Sequence, residues 1–483
     1  MKQATPSLSL LLLLWLGQVS ALANGLPDAV MRELDRAGIP LDAVSVVVAP
    51  AEGSEVPIQL NAERPMNPAS TMKLLTTYAA LRSLGPTHGW KTPIWAEGEI
   101  LEGRLMGNLI IRGAGDPFLT MERLWLLQRS LRQKGVREIH GNLVLDMSQY
   151  DLPPQDAGVF DGEPLAAYNA PPSPLAVNFN VQNLRLQVVG ETVQAALEWP
   201  LPTFRILSTV GLSEKSCSGW RNDVTVRIPD PAIAELVVSG SFPRSCGEKS
   251  LALNVLPPAL NFAHLFRALW EESGGIWSGS VVSGVAPALP PLLQFESLSL
   301  ADLLRPINKF SSNIMTRMLY LELGMQPSGA PATLEKSAQA LRDILMRDAL
   351  VFPELMLENG SGLSRAERIS AASMARLLQT ATKAAHFSEF ESSLPIAAKD
   401  GTLKSRMNGT NAQAVEGGMG VAGHAHLKTG SLRDVRALAG YVHDKSGQRW
   451  VVVFFINHPE AARGVSAQDA LVEWVYQQGA RQP

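Results

Sequence analysis

The chain has 483 residues, of which 46% are hydrophobic and 18% are charged, and its formal net charge is −3. This balance is typical of folded globular protein and excludes a disordered chain. The length predicts about two to four domains. The slightly acidic charge provides no basic surface of the kind that binds nucleic acid.

The N-terminus has the pattern of an exported protein. Lys2 precedes an apolar run over residues 8–16, and Ala21 and Ala23 stand at the two positions that a signal peptidase reads. The run is too short for a membrane span. We therefore predict a signal peptide over residues 1–23, followed by an exported mature chain.

The two cysteines of the chain are Cys217 and Cys246. An exported chain meets an oxidising compartment, where cysteines pair. We predict one disulfide between them, and two buried free thiols are the alternative.

The first predicted elements are those of an α/β domain. A short amphipathic helix over residues 26–37 is followed by a strand over residues 44–49. Pro68 then precedes a run of apolar residues at helical spacing, which predicts that a helix begins within a residue or two of Ser70.

The middle of the chain is richer in strands. Strands at residues 108–111 and 142–145 flank one strong helix at 121–134, and another helix is predicted at 262–272. Between them, residues 181–249 read as short strands separated by Gly, Pro, Asn or Asp, which predicts a small β module. Both cysteines belong to that module.

After a proline-rich crossing at residues 286–291, helical and strand patterns return to the end of the chain. The predicted helices cover residues 299–304, 311–323, 333–347, 371–381 and 466–478, and the predicted strands cover residues 435–442 and 450–456.

The predicted strands and helix at the end of the chain resemble the pattern of its opening segment. This similarity predicts a single domain interrupted by a long insertion. We assign residues 24–90 and 286–483 to this domain. Residues 91–180 and 250–285 are assigned to an inserted α/β domain, and residues 181–249 to a β domain nested within it.

The first candidate site is the pair Ser70 and Lys73. Residues three apart lie on one face of a helix, so the Lys73 amine can reach the Ser70 hydroxyl. An amine that burial keeps neutral can accept the hydroxyl proton and make the serine a nucleophile. The S-x-x-K pattern alone is common, so this prediction depends on the rest of the chain.

Two further clusters complete the pattern. Ser311 and Asn313 form an S-x-N motif at a predicted helix start, and Lys428, Thr429 and Gly430 form a K-T-G motif predicted to lie directly before a strand. These three motifs in this order are the signature of penicillin-binding proteins and serine β-lactamases, which the chain resembles.

The spacing of the motifs narrows the resemblance. Ser311 follows Ser70 by 241 positions, and Lys428 follows Ser311 by 117 positions. A long insertion between the first two motifs is similar to the class C low-molecular-mass penicillin-binding proteins, the D-alanyl-D-alanine carboxypeptidase/endopeptidase family. Other stretches that resemble this family are residues 113–117, 168–171, 359–365, 394–397 and 400–403.

The resemblance implies a fold and a mechanism. The fold is a β-lactamase/transpeptidase-like domain of the α/β (α+β) class, with helices on both faces of an antiparallel sheet and two smaller inserted domains. Ser70 is the implied nucleophile and Lys73 its base, while Ser311 relays a proton to the leaving nitrogen and Asn313 orients Lys73. No metal or organic cofactor is implied.

The resemblance also implies how the substrate is held. Lys428 and Thr429 bind the terminal carboxylate, Gly430 leaves room for the substrate backbone, and the backbone N–H groups of Ser70 and Ser431 bind the oxyanion. Arg365 and Tyr168 resemble positions that contact the peptide stem in this family. An exposed surface Arg365 and a core Tyr168 are the alternatives.

Three other polar residues receive structural interpretations. His424 and His426 alternate along a segment without a visible third metal ligand, so a solvated strand edge is predicted rather than a metal site. Asp400 belongs to an Asp-Gly turn.

The leading function is therefore a periplasmic serine peptidase that acts on peptidoglycan stem peptides ending in D-Ala-D-Ala and on D-Ala-linked cross-links. β-Lactams are its implied covalent inhibitors. The alternatives are a serine β-lactamase and a non-catalytic scaffold that kept the fold. The sequence leaves open a homodimer and peripheral membrane contact, and it does not decide between carboxypeptidase and endopeptidase cleavage.

Overall fold

A computed structural model describes residues 25–199, 205–229, 235–408 and 420–478. The predicted signal peptide lies outside the described residues. The helices of the described chain are α1 (Asp28–Ala37), α2 (Lys73–Ser83), α3 (Met121–Gln133), α4 (Pro258–Glu272), α5 (Leu300–Lys309), α6 (Asn313–Ser328), α7 (Leu334–Arg347), α8 (Ala371–Thr382), α9 (Phe387–Ser392) and α10 (Val465–Gln477).

Nineteen strands are described, in the following order: β1 (Val44–Pro50), β2 (Ile58–Leu60), β3 (Lys91–Leu101), β4 (Arg104–Arg112), β5 (Glu138–Ile139), β6 (Leu143–Asp146), β7 (Gln182–Val189), β8 (Thr192–Leu197), β9 (Arg205–Ser208), β10 (Gly211–Ser213), β11 (Val224–Arg227), β12 (Glu235–Pro243), β13 (Glu248–Leu253), β14 (Ile276–Trp277), β15 (Val281–Ser283), β16 (Leu293–Glu296), β17 (Ala425–Leu432), β18 (Val435–His443) and β19 (Arg449–Asn457).

A five-stranded antiparallel sheet joins the two ends of the described chain. Its order is β17-β18-β19-β1-β2, and Val47 of β1 lies opposite Val453 of β19. Side chains of β1 alternate between two cores, because Val47 packs on one face of the sheet while Val46 and Val48 pack on the other. The sheet is therefore covered on both faces, as the resemblance implied.

The two cores are formed by different helices. Apolar side chains of α2, α5, α6, α7 and α8 fill the core on one face, and those of α1 and α10 fill the core on the other. Helix α2 is buried along residues 73–81. A helix that is buried on all sides lies inside its domain, so the lysine at its first position is removed from water.

The residues between the first two motifs form further sheets. Strands β3–β6 and β14–β16 make a seven-stranded sheet whose core also contains side chains of α3 and α4. Strands β7–β13 form two smaller sheets around a separate core that contains the disulfide between Cys217 and Cys246, with a Cα–Cα distance of 5.0 Å. The predicted disulfide is thus confirmed.

The domain boundaries drawn from the sequence stay a prediction. Strand β16 pairs with β3 in the seven-stranded sheet, and β13 pairs with β7. The chain therefore leaves the inserted sheet only after Glu296.

One prediction of secondary structure is wrong, and one long strand was not predicted. The K-T-G motif lies inside β17, where Lys428 is opposite Ala439, and not before a strand. Lysine and glycine are uncommon in strands, so the sequence did not predict a strand at this motif. Pairing with β18 along eight residues stabilises it. Strand β3 was not predicted, because Pro93 and Gly98 interrupt its apolar pattern.

Candidate active site

Ser70 lies on a single 3₁₀ turn, Ala69–Met72, that leads directly into α2. Ala69 has a φ of +44°, which is unusual for a residue with a side chain. Such backbone strain persists only where the surroundings hold it, and it is common at functional sites.

Asn67 holds the turn before Ser70. Its Oδ1 accepts a hydrogen bond from the Ala69 N–H at 2.9 Å, and its Nδ2 donates to the Ser364 carbonyl at 2.9 Å. The Asn67 N–H donates to Oδ1 of Asn457 at 2.8 Å, and the Asn457 side chain donates back to the Asn67 carbonyl. The turn is thus fixed to segments that lie far away in the sequence.

Two glycines allow neighbouring segments to approach the Ser70 turn. A Cβ added to Gly362 would lie 1.8 Å from the Ala69 carbonyl oxygen, and one added to Gly430 would lie 2.8 Å from that of Pro68. Only a residue without a Cβ fits such approaches. Gly430 therefore allows strand β17 to pack against the 3₁₀ turn that carries Ser70.

Lys73 is the base candidate, and its side chain is wholly buried. Its Nζ lies 3.1 Å from Ser70 Oγ, 2.7 Å from Asn313 Oδ1 and 2.5 Å from the Ser361 carbonyl oxygen. Burial, reinforced by the positive charge of Lys428, holds the pKa of the Lys73 amine well below its usual value. A neutral Lys73 can accept a proton from Ser70.

Ser311 and Lys428 form a second hydroxyl–amine pair. Lys428 Nζ donates to Ser311 Oγ at 2.9 Å and to the Thr429 carbonyl at 2.7 Å. Burial lowers the pKa of Lys428 to about 7. This amine therefore changes charge close to neutral pH, which suits a group that shuttles a proton or binds a carboxylate.

The S-x-N motif lies at the start of α6 as predicted, although the helix begins at Asn313, two residues later than the predicted residue 311. Ser311 has a φ of +59°, which is incompatible with a helix, and Ser312 caps the helix through a side-chain hydrogen bond to the Met315 N–H. Asn313 therefore begins the helix with its amide directed at Lys73, and its Nδ2 donates to the Tyr168 carbonyl at 3.0 Å.

The remaining predicted binding residues lie around this centre. Thr429 Oγ1 donates to Thr402 Oγ1 at 2.7 Å, and Ser431 is exposed on β17 directly after Gly430. The exposed guanidinium of Arg365 is paired with Asp434 at 2.6 Å and stacks on the ring of Phe160.

Tyr168 is 45% exposed, so it is not a core residue. Its hydroxyl donates to Asp161 at 2.8 Å, and burial with this hydrogen bond raises the pKa of Tyr168 to about 12. A pocket of about 530 Å³ lies beside it, lined in part by Asn169, Phe160 and Arg365.

Two groups of the site were not predicted from the sequence. The backbone carbonyl of Ser361 contacts the Lys73 amine, and Glu367 is buried beneath the loop that carries Ser361. The stretch 359–365 was recognised only as a family resemblance. Two glycines and one serine lie between Asn359 and Leu363. Such small residues indicate a loop whose backbone can approach other groups closely, so they could have predicted this contact.

The predicted solvated strand edge is confirmed for His424, which is exposed beside β17, the edge strand of the described five-stranded sheet, but the prediction needs correction for His426. His426 is half-buried rather than solvated, because its ring packs beside His443, which is bound to Glu391. Asp400 accepts hydrogen bonds from Lys309 Nζ and from the Ile396 N–H, which agrees with a structural role. Within the described ranges, no cluster of His, Cys, Asp or Glu has an arrangement that could hold a metal.

The convergence of a buried Ser–Lys pair, a second Ser–Lys pair and a glycine-rich strand defines the class of serine acyl-transfer enzymes built on the S-x-x-K, S-x-N and K-T-G motifs. The sequence profile of the D-Ala-D-Ala carboxypeptidase 3 (S13) family matches residues 29–478. The chain belongs to this family, which confirms the resemblance and the enzyme class predicted from the motifs.

Known proteins agree with this assignment. A D-alanyl-D-alanine carboxypeptidase of an Actinomadura species is 29% identical over 440 residues, which are 88% of this chain and 79% of that protein. Two crystal structures of penicillin binding protein 4 from Haemophilus influenzae, one of them complexed with a novel β-lactam, are 24% identical and superpose with TM-scores of 0.76 and 0.72. Both alignments cover 93% of this chain and 99% of the other, and they show that the fold is shared.

In the part of the chain that the structure describes, none of the helices combines the length and the apolar character needed to cross a bilayer.

Proposed function

We propose that the chain is a serine D-alanyl-D-alanine carboxypeptidase and endopeptidase that forms an acyl-enzyme on Ser70. The observation that carries this proposal is the 3.1 Å contact between Ser70 Oγ and a wholly buried Lys73 amine whose pKa is strongly lowered. Such an amine is a general base that is already in position to activate the hydroxyl.

In the first half-reaction Lys73 takes the proton of Ser70 as Oγ attacks the carbonyl of the penultimate D-alanine. The backbone N–H groups of Ser70 and Ser431 bind the oxyanion of the tetrahedral intermediate, and losing one such donor typically costs about 3 kcal/mol of transition-state stabilisation. Asn313 keeps Lys73 aligned through its 2.7 Å contact with Nζ.

The C–N bond then breaks, and the leaving nitrogen needs a proton. Ser311 supplies it and takes a replacement proton from Lys428 Nζ, an amine with a pKa of about 7 that donates to its hydroxyl. Water attacks the acyl-enzyme in the second half-reaction and releases the shortened peptide. The proton of this water passes through Ser311 to Lys428, and Lys73 returns its proton to Ser70 Oγ as the acyl bond breaks, so the cycle closes without a cofactor.

Substrate recognition follows from charge and shape. Lys428 and Thr429 bind the terminal carboxylate of the substrate, and Arg365 and Tyr168 contact its peptide stem at the edge of the 530 Å³ pocket. β-Lactams acylate Ser70 because they present a reactive carbonyl next to a carboxylate. The substrate is peptidoglycan, and the proposed location is the periplasm.

The proposal is tested with the full mature chain and a peptide that ends in D-Ala-D-Ala. We expect the wild type to release D-alanine and to form a penicillin adduct on the peptide that contains Ser70. Ser70→Ala should lose both, because among the described residues Ser70 is the hydroxyl that Lys73 contacts.

The matched control is Ser83→Ala, which removes an exposed serine from the other end of the same helix. It should keep both activities. A Ser70→Ala protein that still cleaves the peptide would contradict the assignment of the nucleophile.

The lifetime of the adduct separates this proposal from a β-lactamase. A long-lived penicillin adduct on Ser70 supports the peptidase, whereas rapid turnover of penicillin supports the β-lactamase. Mass spectrometry of products from cross-linked and uncross-linked muropeptides then measures the endopeptidase and carboxypeptidase activities in one experiment.

A further inference from the structure

Glu367 is a wholly buried carboxylate whose charge acts on the Lys73 amine. Its Oε1 accepts hydrogen bonds from the backbone N–H groups of Glu358, Asn359 and Gly360, and its Oε2 accepts one from Gly362. The four distances range from 2.8 to 3.2 Å. Burial raises the pKa of the Glu367 carboxyl above its usual value, and the four N–H donors limit this rise because they favour the ionised carboxylate.

The loop that Glu367 organises touches the helix of the nucleophile. The Ser361 carbonyl accepts a hydrogen bond from Lys73 Nζ at 2.5 Å, and the Gly360 carbonyl accepts one from Thr76 Oγ1 at 2.7 Å. A carboxylate in the centre of this loop therefore lies close to the amine that must accept the Ser70 proton.

Charged groups from three elements face Lys73. Lys428 of β17 and Arg317 of α6 lower the pKa of Lys73, and Glu367 of the loop raises it. Arg317 also faces Glu367. Glu367 is thus the anion of this set, and because both side chains are wholly buried its charge acts on Lys73 with little screening.

We infer that Glu367 is a positioning residue whose negative charge stabilises the ammonium that Lys73 becomes when it removes the proton from Ser70. This inference rests on the proposed function. It adds the carboxylate of Glu367 to the proposed roles of Ser70 and Lys73. Lys73 is neutral before the attack and positive during it, so a fixed anion stabilises the transition state more than the ground state.

A neutral isostere separates this electrostatic role from a purely structural one. Glu367→Gln keeps the size and three carbonyl-type acceptor contacts but removes the charge. The titration of Lys73 is followed by NMR on protein with ¹³C-labelled lysine, and its signal is assigned by its absence in Lys73→Arg. We expect the Lys73 titration to move to lower pH by about one unit, which corresponds to about a tenfold change in proton affinity.

Acylation by labelled penicillin is measured from pH 5 to pH 9 in the same variant. The acid limb of the pH profile should move to lower pH with the Lys73 titration. The rate on the plateau should fall about tenfold, because a base of lower pKa accepts the proton less readily. An equal loss of rate at every pH, with the Lys73 titration unchanged, would overturn the inference.

The control is Glu358→Gln, which neutralises a neighbouring carboxylate that binds Ser364 and faces Arg317. It should shift the Lys73 titration by less than Glu367→Gln does, and an equal shift contradicts the assignment to Glu367. Should Glu367→Gln fail to fold in a thermal unfolding assay, Glu367→Asp should give a smaller shift in the same direction, and no shift overturns the inference.

The NMR readout also separates this inference from the proposed function. Failure of the proposed function appears as a wild type that releases no D-alanine and forms no penicillin adduct. The Lys73 titration still reports the charge of Glu367 in that case.

Discussion

At the scale of single residues, the site buries two lysine amines, and this burial lowers the free energy of unfolding when the amines are protonated. Lys73 and Lys428 are both wholly buried, and each contacts a serine hydroxyl at about hydrogen-bonding distance. Burial disfavours a charged amine, which is how a lysine becomes a base near neutral pH. The same burial opposes folding whenever the amine is protonated.

Lys428→Met should therefore stabilise the protein while abolishing its reaction with substrate. The folded-state pKa of Lys428 is about 7, below the 10.5 of a free lysine, so the unfolded chain binds more protons between these values. Wild-type stability rises with pH across this window, and the penalty is fully present below pH 7. Methionine has no such penalty.

Thermal unfolding at pH 6, 8 and 9.5 checks this prediction. The advantage of Lys428→Met should be largest at pH 6 and should shrink toward pH 9.5. Lys404→Met, at an exposed lysine, is the matched control and should show no such trend. A stability difference for Lys428→Met that is independent of pH would contradict the prediction.

At the scale of elements, the site depends on how closely backbones approach one another. The 3₁₀ turn of Ser70 is enclosed by the loop at Gly362 and by β17 at Gly430. Because the contacts are between backbones, side-chain repacking does not relieve an added methyl group there.

Gly362→Ala should displace the Ser70 turn. The new Cβ would meet the Ala69 carbonyl at 1.8 Å, and the φ of +82° is unfavourable for alanine. We expect a loss of about 3 kcal/mol or more in the free energy of unfolding. Penicillin acylation should fall by at least about 100-fold, because reacting groups tolerate little displacement.

Gly85→Ala is the matched control, since Gly85 has a φ of +77° and no atom within 4 Å of an added Cβ. It should cost about 1–2 kcal/mol and leave the acylation rate unchanged. Chemical unfolding and stopped-flow acylation measure both effects. Equal effects of the two variants on acylation would show that the close approach at Gly362 does not hold the turn.

At the scale of the whole molecule, the disulfide and the reacting groups belong to different cores. Cys217 and Cys246 pack in the core of strands β7–β13. Ser70, Lys73 and Lys428 lie instead between the five-stranded sheet and the core to which α2 contributes. A change in the stability of the disulfide-containing core therefore should not alter the geometry around Ser70.

Replacing both cysteines by alanine should therefore weaken the small β sheets without changing the chemistry. The closed loop spans 29 positions, so the chain-entropy estimate for the lost stabilisation is about 3–4 kcal/mol. Limited proteolysis should become faster within residues 205–250, while penicillin acylation keeps its rate. A parallel loss of acylation in the folded variant would show that the two cores are coupled.

The sequence by itself determined the local features of this protein. The apolar period and the capping residues predicted α1, α3, α7, α8 and α10 within a few residues of their observed bounds. The Ser70–Lys73 contact was also predictable, because residues three apart on one helical turn meet without help from the rest of the fold. The order of the three motifs then identified the family.

Only the tertiary structure decided which distant groups surround that pair. The Asn313 amide was expected from its motif, but the Ser361 carbonyl, which contacts Lys73, and the Glu367 carboxylate, whose charge acts on it, were not. The strand that carries Lys428 exists because β18 pairs with it. Such contacts depend on how sheets and helices pack, and no local pattern encodes that packing, because a carbonyl or a carboxylate has the same sequence signature wherever the chain places it.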